Sequence, residues 1–402
     1  MLRFLTAGES HGKALVVVLE GVPAGLTLDL DRMTADLRRR QGGYGRGRRM
    51  AIESDRAEPI AGLRHGRTTG APLAFLIPNK DWVNWQRTMR AEPEMPAEAT
   101  GANRAPVVRP RPGHADLAGA LKYDLDDIRD VLERASARET AARVAAGAVA
   151  RQLLAVIGVE ILSHVTGIGP VAVPDAEAID ADRVRAIPDD SPLRAVDPDV
   201  ERRMIAAIDA AREAGDTLGG TFEVIATGVP AGLGSYTQWD RKLDGRLAQA
   251  LMSIHAIKAV GVGIGLDAGR RPGSQVHDEI LPGPPGRLVR PTNRAGGLEG
   301  GVTNGMDVRV TAAMKPIATL MKPLRSVDLT TLADAPAAIE RSDVCAVPAA
   351  AVVGEAMVAL VLANAALEAY GGDSLAAFER QARDEAARIT ARLTPPSGGA
   401  GA

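Results

Sequence analysis

The 402-residue sequence predicts one α+β domain with an internal pseudo-repeat, and three observations carry that expectation. The turn Gly21-Val22-Pro23-Ala24-Gly25-Leu26 returns residue for residue at Gly228–Leu233, and each copy follows a β-type run (VVVLE and FEVIA). No proline-rich or charged linker divides the middle of the chain. Apolar residues at 46% and charged residues at 24% give the balance of a globular protein with enough length for a sizeable core. The domain is expected over 1–393, and Thr394–Ala402 (TPPSGGAGA) reads as a disordered tail.

Taken in order, Lys13–Glu20 reads as a buried strand leading into the first copy of the turn. Asp29–Arg40 reads as a short helix with Met33 and Leu37 inward, stopped by Gly42-Gly43. Ala71–Ile77 is a second strand. Ser136–Ile157 is a strong helix whose Ser136 and Glu139 fit the spacing of a capping box. The polar, proline-containing run Pro174–Asp199 is expected to be a surface excursion. Helices are expected at Val200–Ala214, Leu243–Ile257, Ala349–Ala369 and Leu375–Leu393, with strands at Thr221–Ala226 and Val308–Ala313.

No apolar run reads as long enough to span a bilayer, because Gly354, Glu355 and Asn364 interrupt the best candidate. Met1–Gly8 lacks the apolar region of a signal peptide, and the lone cysteine, Cys345, excludes an intrachain disulfide framework or a cysteine-built zinc site. These features point to a cytoplasmic protein. A net charge of −2 gives no global pull towards nucleic acid, and aromatics at 3% are too few for base-stacking platforms. Only seven of the 48 basic residues are lysine, which codon bias explains; bias does not explain clustering.

Arg38–Arg49 (RRRQGGYGRGRR) places six arginines and four glycines in twelve residues without an acid. Guanidinium forks match carboxylate and phosphate oxygens, and glycine admits close backbone approach. A solvated, RNA-binding basic loop is the plainer alternative. The single occurrence after a helix, echoed by Arg104, Arg109 and Arg111, favours a polyanion pocket. His11 lies between glycines in Gly8-Glu9-Ser10-His11-Gly12, where spacing alone reads as an exposed turn histidine. His114 is framed by prolines in Arg109–Asp116, with Asp116 placed to orient it. Arg134-Ala135-Ser136-Ala137-Arg138 opens a helix, a position suited to an anion, and no metal-ligand spacing appears.

These motifs together resemble the chorismate synthase family. The resemblance runs from Phe4 to about Leu367 and includes GESHG at 8–12, RRRQGGYGRGRRM at 38–50, RPGHADL at 111–117 and SARETAARVAAGA at 136–148. It continues through GVPAGLG at 228–234, ALMSIHAIKAV at 250–260, RAGGLEGG at 294–301, MKPIATL at 314–320 and RSDVCAVPA from Arg341. It implies a four-layer β/α/α/β sandwich of antiparallel sheets with internal duplication, assembled as a homotetramer. The implied reaction converts 5-enolpyruvylshikimate 3-phosphate to chorismate and phosphate by anti-1,4-elimination with reduced FMN. The hydrogen lost is not beside a carbonyl, so base catalysis alone has no enolate to stabilise, and a reduced flavin can lend the electron density.

By the same resemblance, His11 protonates the departing phosphate, His114 serves the reduced flavin, Asp343 lies on the route that removes the substrate proton, and Ser10 and Ser136 support the relay. Arg40, Arg46, Arg49, Arg111, Arg138 and Arg341 would clamp the substrate. FMN would lie against Arg134, Ala135, Ser136, His255, Ala256, Gly300, Lys315, Pro316, Ile317, Ala318, Thr319 and Arg341. NADPH is a possible reductant, direct at Arg40 and Arg46 or through a separate flavin reductase. Ala135, Ala318 and His255 depart from the family's commonest residues at presumed flavin contacts. A nucleic-acid module and a flavin-independent phosphate lyase using His11 and His114 alone are the competing readings.

Overall fold

The computed structural model describes residues 1–47, 54–93, 99–188, 190–340 and 342–395. Arg49, Arg341 and all but Thr394 and Pro395 of the expected tail lie outside the described residues. Alternating burial makes the first sheet one-sided. β1 (Arg3–Ala7), β2 (Ala14–Glu20), β3 (Glu58–Ala61) and β4 (Leu73–Pro78) pair in the order β1-β2-β4-β3, all antiparallel. Leu15, Val17 and Leu19 of β2 and Leu73, Phe75 and Ile77 of β4 turn to the same buried face.

Between β2 and β3 runs α1 (Leu30–Gln41), with the expected inward Met33 and Leu37. Asp29 caps it by accepting from Asp31 N and Arg32 N at 2.9 and 3.0 Å. After the first sheet comes α2 (Thr140–Ala155), so alanine-rich and buried all round that it is a core helix. The expected capping box is only half formed. Ser136 accepts from Arg138 N at 3.3 Å, but Glu139 turns instead to Thr6 Oγ1 at 2.6 Å and to Arg143 at 2.9 Å. A short 3₁₀ turn at Ala137–Glu139 precedes the helix proper.

The second half supplies β5 (Glu160–Ile168), β6 (Gly220–Thr227), α3 (Leu243–Met252), β7 (Ile257–Val262), β8 (Val308–Met314) and α4 (Val347–Tyr370). Its strands pair in the order β7-β8-β6-β5, with Val171–Ala172 added beside β5. Both sheets therefore run first, second, fourth, third in their own chain order. α2 packs on β2 and on α4, while α4 packs on β5 and β6. The two helices thus meet each other, with α2 against the first sheet and α4 against the second.

The repeated turn is held the same way twice. Thr68 Oγ1 donates to Pro23 O at 2.6 Å and accepts from Leu26 N at 2.9 Å. Thr303 Oγ1 donates to Pro230 O at 2.6 Å and accepts from Leu233 N at 2.8 Å. Gly25 and Gly232 sit at φ 97° and 99°, where a side chain would be strained, which is why both copies keep glycine there.

Three element expectations are corrected. The helix expected to run from Leu243 to Ile257 stops at Met252: Ala256 takes φ 67°, and Ile257 enters β7 opposite Met314. The segment 174–199 is no mere excursion, because Ile179, Val184 and Ile187 pack against Ile225 on the second sheet. α4 is long and apolar enough, at 24 residues, to cross a membrane by length and composition, but 89% of its most apolar window is buried in the protein. It is a core helix here.

α4 also buries Glu355 at 1% exposure, where it accepts from Arg39 at 2.6 Å, Arg151 at 3.0 Å and Ser163 at 2.6 Å. Burial opposes its charge, yet the two arginines hold the carboxyl at about 2. Its folded pKa lies below the ordinary glutamate value of 4.5, so the stabilisation is present above that pH and is lost as pH falls towards 2. We expect the advantage of wild type over Glu355→Gln in urea unfolding to narrow by about 2 kcal/mol from about pH 6 to about pH 3. A pH-independent difference would count against the pairing.

Candidate active site

The loop between β1 and β2 carries Ser10 and His11, and its shape is fixed from outside. Asn79, just past β4, donates from Nδ2 to Glu9 O at 3.1 Å and to Gly12 O at 2.7 Å. Gly8 holds φ 106°, and a Cβ there would lie 2.3 Å from Ala14 O. Helix Arg129–Arg134 closes on the same loop: Ser10 N donates to Glu133 O at 3.0 Å, and His11 N donates to Glu133 Oε2 at 2.8 Å. His11 Nδ1 lies 2.8 Å from Glu133 Oε1, and its ring stacks on Trp85 with centroids 3.8 Å apart.

Ser136 donates to Ser10 Oγ at 3.1 Å, bringing the helix start to the histidine loop. Arg134 ties the same strand end, reaching Thr6 O at 3.1 Å and Gly8 O at 3.3 Å. Ala135 is half-buried within this segment. One residue on from Ala137, Arg138 is buried and donates to both oxygens of Asp55 at 2.6 and 2.7 Å. Arg40 approaches the same carboxylate at 3.2 Å. Burial lowers Arg40 to about 10; Asp55 opposes that, and the neighbouring charges of Arg138 and Arg46 add to it. Arg46 pairs with Asp343 at 2.7 Å, and Gly47 N donates to the other oxygen of Asp343 at 2.6 Å.

The arginine-rich segment, whose first three arginines form the last turn of α1, is therefore divided in its duties. Arg39 turns to the core and Glu355, leaving Arg40 and Arg46 on the side of Arg138. Of the echoing arginines, Arg104 lies over the Trp85 ring at 4.1 Å, whereas Arg109 is exposed.

A second histidine site forms around Asp116, which is fully buried. His114 Nδ1 lies 2.5 Å from Asp116 Oδ1, and Arg111 Nε donates to Oδ2 at 2.8 Å. Burial would raise the Asp116 carboxyl, but His114 and Arg111 hold it well below the usual carboxylate range. Arg111 also donates to Thr319 Oγ1 at 3.0 Å, and Lys315 Nζ donates to Gly113 O at 2.5 Å. Arg111 thus belongs with His114 and Thr319.

His255 and Ala256 join this side through Lys315 N, which donates to Ala256 O at 2.9 Å. Burial lowers His255; Glu139 opposes, while Arg143, His114 and Arg134 add to the depression. Burial and Lys258 lower Lys315 as well. Pro316 is exposed, Ala318 lies beside Gly113, and Ile317 O accepts from Thr217 at 2.8 Å. Gly300 occupies a separate hairpin next to Tyr236 and is exposed.

Sequence reasoning did not single out Glu133, Trp85, Asp55 or Asn79. Each lies at least 15 residues from its partner, so local spacing carried no signal.

His11 and His114, each on a buried carboxylate near clustered arginines, are the arrangement an enzyme needs to move protons beside an anion. The chorismate synthase family model matches residues 2–367. Chorismate synthase of Symbiobacterium thermophilum is 54% identical over 391 residues, covering 97% of this chain and 100% of that protein. Its counterpart in Moorella thermoacetica is 58% identical over 95% of this chain and 97% of its own. A crystal structure of chorismate synthase superposes with a TM-score of 0.78 at 42% identity, covering 97% of this chain and 98% of that one. The chain belongs to the chorismate synthase family. Its activity is that of a carbon–oxygen lyase forming chorismate and phosphate in aromatic amino acid biosynthesis.

Proposed function

We propose that this chain carries out the elimination with reduced FMN, using His11 to deliver a proton to the departing phosphate and His114 to serve the flavin. The observation that carries the reading is the matched placement of the two histidines: each ring nitrogen is anchored to a buried carboxylate, Glu133 or Asp116. An imidazole so held can exchange a proton only through its other nitrogen. Arg40, Arg46 and Arg138 are the substrate-facing cations, and Arg49 and Arg341 would complete them. Arg111 lies nearer the flavin side, beside His114 and Thr319.

The residues fit a flavin mononucleotide. Among the described residues His255 Nδ1 is buried without a hydrogen-bond partner, Arg143 and Arg134 supply positive charge near it, and Arg111 and Lys315 add cations beside Thr319 and Gly113, suited to an anionic ring or phosphate. Arg134, Ala135, Ser136, His255, Ala256, Lys315, Pro316, Ile317, Ala318 and Thr319 would hold the group, with Gly300 joining from its separate hairpin. When bound, reduced FMN supplies electron density to the elimination. Ser10 and Ser136 link the histidine loop to the anion-binding helix start, and Asp343 stands ready to take the substrate proton once Arg46 turns to the substrate. NADPH at Arg40 and Arg46, or a separate reductase, would supply the reducing equivalents.

The matched strand orders and the twice-clasped turn support a duplicated domain over 1–393, and the helix contacts between the sheets support a four-layer sandwich. A cytoplasmic homotetramer completes the reading. Flavin binding is testable without turnover. FMN fluorescence should be quenched on titration with the protein and substrate, and Lys315→Ala should weaken that binding roughly 10-fold, the loss of one charge-assisted contact. Unchanged affinity in Lys315→Ala would place the flavin elsewhere.

A further inference from the structure

His11 is held more firmly than proton delivery alone requires. Glu133 is fully buried and receives both the ring Nδ1, at 2.8 and 3.0 Å from its two oxygens, and the backbone N–H of His11 at 2.8 Å. Its own backbone carbonyl takes Ser10 N–H at 3.0 Å. One face of the ring is covered by Trp85, with planes 18° apart. The indole is itself anchored, since its Nε1 donates to Asp81 Oδ2 at 3.1 Å. Other charged groups face this stack. Arg129 lies 4.0 Å from the Glu133 carboxylate and 5.5 Å from the Trp85 ring, and Arg104 covers that ring at 4.1 Å.

Three restraints therefore act on one imidazole: a buried anion at Nδ1, a backbone clamp and an aromatic face. A carboxylate accepts but does not donate when ionised, so the hydrogen between His11 and Glu133 belongs to Nδ1. The side chain of His11 keeps 13% exposure, enough for one edge to meet solvent or substrate.

We propose that Glu133 is a positioning residue for the reaction: it keeps a proton on His11 Nδ1 so that Nε2 is the sole atom exchanging a proton with the departing phosphate. The proposal rests on the reading of His11 as the phosphate's proton donor. In the step, the Nε2–H bond breaks and an O–H bond forms on the leaving phosphate. Its bonding electrons stay on Nε2, and His11 is left neutral with its proton on Nδ1. Solvent restores the second proton through the exposed edge.

The test compares wild type, Glu133→Gln, His11→Ala and the double variant with reduced FMN under anaerobic conditions. Glu133→Gln should lower kcat roughly 10–100-fold with KM little changed, as for other partners that orient a working histidine. kcat/KM should fall by the same factor as kcat, a pattern that lost ground-state binding would not give. Added to His11→Ala, the substitution should cost nothing further, since it acts through that ring.

A raised KM with kcat unchanged, or a double variant slower than His11→Ala by the full factor, would overturn the proposal and leave Glu133 a structural residue. Wild-type turnover in His11→Ala would instead overturn the reading of His11 itself. Glu133→Asp covers the case in which the amide unfolds the helix. It keeps an acceptor-only carboxylate, so kcat should fall by less than in Glu133→Gln, and a fall as large in the folded variant would count against the proposal.

Discussion

His11→Ala is expected to slow chorismate formation by roughly 10²–10⁴-fold, the range lost with a general acid, while leaving the urea midpoint close to wild type. The size follows from what the ring does. Its Nδ1 is committed to Glu133, and in the proposed role its other edge carries the proton the leaving phosphate needs. The small stability cost follows from where it sits, on a loop whose backbone is fixed by Asn79 and Glu133. Removing the ring leaves the buried Glu133 carboxylate near Arg129, at 4.0 Å, rather than isolated. Steady-state rates and urea unfolding on the same preparation check both halves, and a near-normal rate would remove His11 from the chemistry.

Gly147→Val should destabilise the protein by about 3 kcal/mol or more. Gly147 lies in the middle of α2, where helix propensity alone would favour alanine by about 1 kcal/mol. Packing decides the opposite sign. A Cβ at 147 would lie 2.3 Å from the Ala356 Cβ and 2.5 Å from its Cα, and a backbone atom in a buried helix cannot swing aside. The contact joins α2, packed on the first sheet, to α4, packed on the second, so the clash would separate the two halves. Urea unfolding monitored by far-ultraviolet circular dichroism would read it, and a wild-type midpoint would mean that the helices can part at no cost.

What the sequence makes legible follows from how local each interaction is. The short helix at 30–41 is readable because its cap, its inward Met33 and Leu37 and its glycine stop are all near neighbours. The repeated turn is readable because six residues recur, and the same threonine clasp holds both copies. β1, β3, β5 and β7 escape notice, since strands gain their definition from partners far along the chain, such as Ile161 opposite Ala226. The helix from Leu243 is read too long because nothing local signals that Ala256 adopts a left-handed conformation.

The same distinction runs through the site. Asp116 is two residues from His114 and is legible as its partner. Glu133 stands 122 residues from His11, and a histidine between glycines looks like a solvent-exposed turn until that carboxylate is in place. Six arginines in twelve residues suggest a single purpose, yet Arg39 serves a buried glutamate in the core while Arg40 and Arg46 stay with Arg138. The carboxylates that meet each guanidinium, Glu355 and Asp55 from far along the chain, assign the difference.

The most direct measurement of the proposed chemistry is anaerobic phosphate release from 5-enolpyruvylshikimate 3-phosphate, with and without reduced FMN. Release is expected only when reduced FMN is present, with the two histidines managing protons and the flavin supplying electrons. Equal release in its absence would contradict flavin dependence and leave His11 and His114 to carry the elimination by acid–base chemistry alone.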